Sequence, residues 1–284
     1  MGGFLRYVRR NPTLGWGLGI LLGLLLFTTV GRLFIDPKDA QALATKTDLP
    51  PTREHLFGTD SQGKDLLASM VLGTGLTLQI GAVAGLIGIG IGTFLGFVSG
   101  YYGGIVDNVI TAIVDTVLTM PGFLLLVLVA STLTKPSELK VTQMGLIASI
   151  TAWAFPTRAI RSQVLTMRQR PFVMMAKLSG MGGFEIILKE LMPNLFPYLA
   201  MSLANSVYGG VMGSLGLEGL GIGNRRAPTL GMTIYWMNYY SAFLRGMWWW
   251  ILEPISVIVL LLTALTLISF GLDEIANPRV RRAV

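Results

Sequence analysis

The chain has 284 residues, of which 52% are hydrophobic and 13% are charged, whereas soluble domains carry about 25% charged residues. This composition and a mean hydropathy of +0.63 exclude a water-soluble enzyme and indicate that much of the surface faces lipid. The lack of cysteine and the single histidine, His55, exclude disulfides, thiolate metal sites and histidine-rich metal centres. We interpret the net charge of +7 as the bias of basic residues toward one side of a membrane. The expected partner is therefore the bilayer and not a nucleic acid.

Long stretches with few or no charged residues predict six membrane-spanning helices. A hydrocarbon core of about 30 Å requires about 20 apolar residues at about 1.5 Å each. The predicted spans are 14–34, 77–99, 106–133, 142–164, 197–216 and 251–271. The predicted fold class is therefore all-α, a polytopic membrane protein.

The first span follows Arg6, Arg9 and Arg10, which resemble the basic region of a signal peptide. Its apolar run is too long for a signal peptide and no small-residue cleavage site follows, so we interpret it as an uncleaved anchor. Six crossings place both termini on one side of the membrane. The basic residues of the termini and of 165–196 predict that this side is the cytoplasm.

The polar connection 36–74 is predicted to pack outside the membrane. Its residues 58–65, Gly-Thr-Asp-Ser-Gln-Gly-Lys-Asp, nearly match a phosphate-binding loop. Asp65 stands where that loop requires Ser or Thr, and no apolar strand precedes it, so no nucleotide site is expected. The connection could shape the mouth of a pathway, meet an external protein, or simply cap the outer helix ends.

Glycines recur every four residues in the second span, at Gly88, Gly92, Gly96 and Gly100. This spacing predicts a strip without side chains along one helix face, which allows another helix to approach closely. The strip is interpreted as helix packing within the subunit. The alternative is a sliding or subunit-facing surface in a machine that changes shape.

Polar residues inside predicted spans are functional candidates because an unpaired polar group at membrane depth is costly. Asp115 lies within the third span and Asn205 within the fifth, and both are candidate pathway or gating residues. For Asp115, a proton relay is the bolder interpretation, and a structural or gating role is the alternative.

The loop 165–196 is predicted to hold two short helices. Pro171 can start the first helix, Phe172 to Leu178 are mostly good helix formers, and Gly180 can end it in a left-handed turn. A second helix is predicted from Phe184 to Met192, ended by Pro193. Exposed apolar side chains on the first helix favour insertion into the groove of a partner, unless that face folds back on the membrane domain.

Three groups of residues resemble the dipeptide and oligopeptide type of ABC importer permease, in order and spacing across nearly the whole chain. They are His55-Leu56-Phe57-Gly58-Thr59-Asp60 with Gly63-Lys64-Asp65-Leu66-Leu67, Gly100-Tyr101-Tyr102-Gly103-Gly104 with Asp107, Asp115 and Met120-Pro121-Gly122, and Gly271-Leu272-Asp273 with Asn277-Pro278-Arg279. The sequence departs from the family at Lys64, where the family usually has Arg. It also has Leu217-Glu218-Gly219-Leu220-Gly221 in place of the usual Phe-Leu-Gly-Leu-Gly.

The resemblance implies the type I ABC importer permease fold and a division of the chain into four parts. These are a cytoplasmic N-terminus with the first transmembrane helix (1–35), an external loop (36–74), a permease core (75–272) and a cytoplasmic tail (273–284).

The resemblance also implies that 165–196 is the cytoplasmic loop that couples such permeases to their ATPases. Gly180 and Pro193 keep the family's spacing of thirteen, but Met174, Met175 and Ala176 replace its Glu-Ala-Ala. The candidate ATPase-coupling residues are Phe172, Met174, Met175, Ala176, Lys177, Leu178, Gly180, Met181, Gly182 and Pro193.

The family implies a non-enzymatic subunit of a cell (inner) membrane importer for peptides. Its expected partners are a second homologous permease, two cytoplasmic ATPase subunits and an external substrate-binding protein. No cofactor is expected on this chain, and ATP and Mg²⁺ are expected in the ATPase subunits.

Four alternatives stay open at this point, two with a different cargo and two of a different class. The same machinery could import oligosaccharides, which the aromatic residues between 235 and 250 leave open, or nickel. A proton-coupled carrier using Asp115 and a structural scaffold are alternatives of a different class.

Overall fold

The computed structural model of the chain describes residue 8, residues 11–133 and residues 139–276. The predictions made for Arg6, Arg9, Arg10 and the end of the tail at Asn277-Pro278-Arg279 lie outside the described residues. Within these ranges the chain is helical and contains no β-strand, which confirms the all-α class.

The helices, in chain order, differ widely in length. They are α1 Pro12–Gly31, α2 Leu66–Tyr102, α3 Gly104–Thr119, α4 Gly122–Ser131, α5 Val141–Ala152, α6 Ala154–Met167, α7 Pro171–Leu178, α8 Gly183–Ile186, α9 Met192–Gly219, α10 Leu230–Tyr239 and α11 Trp248–Ala276. A 3-10 turn, Pro37–Ala40, lies between α1 and α2, and a π-helical turn, Ile187–Leu191, joins α8 to α9.

Three of the helices, α1, α2 and α11, are long and apolar enough to cross a membrane. The predicted third span, 106–133, is wrong as a single helix, because α3 and α4 meet at an angle of 85°. Pro121 lacks a backbone N–H and forces Met120 into an extended conformation, with ψ 141°, which ends α3. Counting the bent pair as one span gives four crossings.

The two remaining predicted spans fall on less apolar helices. Span 142–164 corresponds to α5 and α6, which are separated at Trp153, and span 197–216 lies within α9. The count of six crossings therefore stays a prediction.

α2 is the central helix of the molecule and packs against α1, α5, α6 and α9. It has 37 residues, which corresponds to about 55 Å at about 1.5 Å per residue. It begins at Leu66 rather than near residue 77, because the Asp65 carboxylate accepts a hydrogen bond from Ala68 N at 3.0 Å and caps the helix.

Two non-spanning parts of the chain lie at opposite ends of α2. Residues 36–65, here called the polar cap, precede its first turn. Residues 171–192, here called the coupling segment, meet its last turn, where the Lys177 ammonium lies 5.3 Å from the centre of the Tyr101 ring.

Candidate coupling surface and polar contacts between helices

α7 is a short helix with a well-defined start and end. Pro171 occupies its first turn, where the missing backbone N–H costs nothing. At its end, Gly180 adopts φ +82°, and Met181 N donates to Ala176 O at 3.1 Å while Gly180 N donates to Lys177 O at 3.0 Å. These two bonds form a Schellman motif, so the sequence itself stops the helix at this glycine.

The two faces of α7 differ sharply in exposure. Val173 and Ala176 are buried, whereas Met174, Met175 and Leu178 are 61%, 68% and 83% exposed. A row of large apolar side chains exposed on one face is a feature of surfaces that contact a partner. Methionine is suited to such a surface because its flexible side chain adapts to different contacts.

The buried face of the coupling segment connects it to two long helices. Val173, Ile186 and Leu191 share one core cluster with Phe97 of α2 and Ile160 of α6. The other candidate coupling residues Phe172 and Met181 pack against the same cluster. A force applied to the exposed face of α7 therefore acts on α2 and α6 through apolar contacts.

The second helix of this segment does not end where the sequence predicted. Pro193 was expected to terminate it, but the chain continues through the π-helical turn into α9, with Pro193 in the first turn of α9. A first turn tolerates proline, and the Asn194 Nδ2 group donates to the Glu190 carbonyl at 2.6 Å. Gly182 lies just before α8, in an extended conformation.

The glycine strip of α2 faces α5 and α6. A Cβ atom at Gly88 would lie 2.7 Å from the Ala152 Cβ, and one at Gly96 would lie 2.9 Å from the Ile160 Cβ. Gly92 and Gly100 approach Pro156 and Val164 in the same way, at 2.7 and 2.8 Å. The strip thus lies at a contact between helices of the same subunit.

Two ion pairs connect α3 with α6. The Asp107 carboxylate binds Arg161 in bidentate fashion, at 2.5 and 2.6 Å, and also accepts from Ser99 of α2. Asp115 pairs with Arg158, and both side chains are about half exposed, at 47% and 54%. Asp115 therefore has a charged partner inside the subunit.

Sequence reasoning found both aspartates but missed their partners. The available signal was a pair of arginines three residues apart, Arg158 and Arg161, which share one face of a helix. Two carboxylates eight residues apart on α3, Asp107 and Asp115, can meet them when the helices run in opposite directions.

Asn205 lies on α9 and links it to α11, because its Oδ1 accepts a hydrogen bond from Ser269 at 2.8 Å. It also lines a cavity of about 480 Å³ together with Thr151, Phe155 and Tyr208. Among the described residues, no group of three His, Asp or Glu side chains is placed to hold a metal ion.

Comparison with known proteins gives one consistent family. The model of the binding-protein-dependent transport system inner membrane component family matches residues 92–282. The dipeptide transport system permease protein DppC of Bacillus subtilis (strain 168) is 28% identical over 277 residues, which cover 98% of this chain and 85% of that protein. The oligopeptide transport system permease protein OppC of Mycobacterium bovis is 30% identical over 232 residues, which cover 82% of this chain and 78% of that protein. The chain therefore belongs to the family of binding-protein-dependent transport system inner membrane components, the ABC importer permeases that its motifs resemble.

Proposed function

We propose that this chain is a transmembrane permease subunit of an ABC importer that moves peptides delivered by an external binding protein. The observation that carries the proposal is the two-faced helix α7. Its apolar residues Met174, Met175 and Leu178 are exposed, while Val173 and Ala176 attach it to the transmembrane helices. The relatives named as dipeptide and oligopeptide permeases support peptides as the substrate class.

In this proposal the polar cap faces the outside and the coupling segment faces the cytoplasm. Two ATPase subunits bind ATP with Mg²⁺ and contact α7, and a second, homologous permease lies beside this one. Closure of the ATPases displaces α7, and the shared core cluster passes the displacement to α2 and α6. The chain contributes a pathway and a mechanical connection, and its partners supply the energy.

Cysteine crosslinking tests the contact directly, because the natural chain contains no cysteine and each introduced thiol is unique. Met175→Cys and Leu178→Cys are expected to crosslink to the ATPase subunits in the assembled complex. Val173→Cys, on the buried face of the same helix, and Leu56→Cys, 62% exposed in the polar cap, are the matched controls. Equal crosslinking at Val173 and Met175, or none at Met175 in an active complex, would contradict the assignment of α7.

The substrate class is tested by ATP hydrolysis in the reconstituted complex with its binding protein. Peptides are expected to stimulate hydrolysis, while oligosaccharides and nickel ions are not. Stimulation by a sugar or by nickel alone would assign the same machinery to a different cargo.

The proton-coupled alternative is tested at Asp115. Because Asp115 is paired with Arg158 near the surface of the described chain, Asp115→Asn is expected to leave ATP-driven import in place. Import that requires no ATPase subunits and stops when the proton gradient collapses would favour the carrier.

The scaffold alternative is tested at the glycine strip. Import that survives large substitutions along the glycine strip would favour a scaffold.

A further inference from the structure

A basic pocket lies between the polar cap and the connection from α9 to α10. Its volume is about 610 Å³, within the range of about 300 to 1,000 Å³ that is typical of small-molecule sites. Three cationic side chains line it, Lys64, Arg225 and Arg226, together with Gln62 and Trp236. None of the residues that line it carries a carboxylate. The pocket therefore presents positive charge to whatever enters it.

Lys64 is the unusual member of this group because it is only 5% exposed. Its ammonium group lies 6.0 Å from the centre of the Trp236 ring and has no hydrogen-bond or ion-pair partner in the part of the chain that the structure describes. The nearby Asp60 carboxylate uses one oxygen to accept the backbone N–H groups of Gln62 and Lys64, each at 2.8 Å. Burial lowers the pKa of Lys64, although the charge of Asp60 opposes this.

Gln62 provides a second, independent observation at the same pocket. Its side-chain oxygen Oε1 is buried and has no hydrogen-bond donor within the described ranges. A buried acceptor without a donor destabilises a folded protein, because it has lost its hydrogen bonds to water without replacement. The pocket thus combines a cationic group that lacks an acceptor with a lining side chain whose acceptor is buried beside the pocket and lacks a donor.

The end of a peptide has both complementary groups on one residue. Its terminal carboxylate can accept from cationic donors, and the N–H group of the same residue can donate to an amide oxygen. Trp236 adds a flat apolar surface beside these groups, and its indole N–H is already bonded to the Arg225 carbonyl at 3.3 Å. A single carboxylate side chain from a docked protein would satisfy the cations but not Gln62.

We propose that this pocket binds the carboxyl-terminal residue of a short peptide, with Lys64, Arg225 and Arg226 contacting the carboxylate and the Gln62 side chain turning its buried Oε1 into the pocket to accept the last peptide N–H. The proposal rests on the proposed import of peptides. It adds a recognition site in the permease itself, at the end of α2 opposite the coupling segment.

The test measures binding of tritiated trialanine to the assembled complex in lipid nanodiscs, without binding protein and without ATP. Arg225→Gln with Arg226→Gln changes only exposed side chains, and Lys64→Met removes the buried cation. The matched control is Arg53→Gln, an exposed cation of the polar cap that does not line the pocket. Trialanine amide, which lacks the carboxylate, is the ligand control.

Both pocket variants are expected to raise the Kd for trialanine on the order of tenfold or more, as expected for a lost charge-assisted hydrogen bond. Arg53→Gln is expected to bind as the natural protein does, and trialanine amide to compete at least about tenfold less well. If Lys64→Met fails to assemble, the double arginine variant decides. Equal Kd values in that variant and the natural protein, or equal competition by the amide, overturn the proposal.

Peptide import with the binding protein present is measured in parallel. If the natural complex imports no peptide, the proposed function is wrong. If it imports peptide but fails the binding test, only the proposed pocket is wrong. Variants that lose affinity for the binding protein while keeping the Kd for trialanine would also overturn the proposal.

Discussion

At the N-terminal end of α2, the polar cap is held by hydrogen bonds and ion pairs, whereas at the C-terminal end the coupling segment is held by apolar packing. In the cap, the Thr59 hydroxyl donates to Lys46 O at 2.7 Å and accepts from Leu49 N at 2.9 Å, and His55 Nδ1 lies 2.7 Å from Asp65. In the coupling segment, the contacts to α2 and α6 come from side chains such as Val173 and Ile186.

The two kinds of contact hold the two regions in different ways. Directional hydrogen bonds in a buried setting fix one arrangement of the cap, because each lost bond leaves a costly unsatisfied group. Apolar contacts are not directional, so they attach the coupling segment without fixing its orientation as strictly as hydrogen bonds would. The comparison predicts that polar substitutions matter most in the cap and apolar ones in the coupling segment.

The largest effect is expected for Asp60→Ala in the polar cap. Asp60 is 3% exposed and accepts two backbone hydrogen bonds, so its loss should destabilise the cap by about 3 kcal/mol and leave Lys64 without its neighbouring charge. Faster hydrogen exchange across residues 45–64 would report this change. Glu54→Ala, at an exposed position of the same cap, should exchange as the natural protein does.

The next largest effect is expected at the close contact between the glycine strip of α2 and α6. Gly96→Leu would place side-chain atoms where a Cβ alone lies 3.0 Å from Thr157 O, so we expect a loss of about 2 to 3 kcal/mol in the free energy of unfolding. Thermal unfolding of the purified permease measures it. Gly90→Leu on the same helix has open space around its Cβ, and an equal loss there would contradict the packing role.

A smaller effect is expected at the anchor of α7. Val173→Ala removes buried methyl groups and should cost about 2 kcal/mol, seen as proteolysis between residues 168 and 182. Met175→Ala, on the exposed face, should leave proteolysis unchanged but reduce ATP-driven import. Reduced import without any change in ATPase contact would argue against our division of the two faces.

The smallest effect is expected for Arg245→Gln, which breaks the pair between Arg245 and Asp48 at 2.5 Å. Both side chains are partly exposed, at 42% and 34%, so solvent screens the pair and the loss should stay below about 1 kcal/mol. Hydrogen exchange of the cap again measures the change. A loss as large as that of Asp60→Ala would mean that surface pairs, rather than buried bonds, hold the cap.

The local features of this fold could be predicted from the sequence. Pro171 starts α7 and Gly180 ends it, as expected. Proline at a first turn and glycine in a left-handed turn determine the ends of a helix through contacts within a few residues. The glycine strip was predicted from its spacing, since helix periodicity alone places Gly88 to Gly100 on one face.

Two kinds of feature were not predicted from the sequence. Some depend on contacts between residues that are far apart along the chain, and others depend on whether a helix ends or continues at a proline. The same residue type, proline, ends α3 at Pro121 but is accommodated at Pro193, where a π-helical turn precedes it. The basic pocket joins Lys64 to Arg225, more than 150 residues away along the chain, and no local pattern encodes that meeting. The pairing of Asp107 with Arg161 also depends on a distant contact, although the spacing of Arg158 and Arg161 offered a signal for it.

The length of α2 has a consequence for how the two ends communicate. A helix of about 55 Å that turns as one body moves both tips by about 2 Å in opposite directions when it rocks by about 5° about its midpoint. A small push on the coupling segment is then delivered, with its direction reversed, to the wall of the basic pocket around Lys64. The two ends of α2, at the coupling segment and at the basic pocket, therefore move together and in opposite directions.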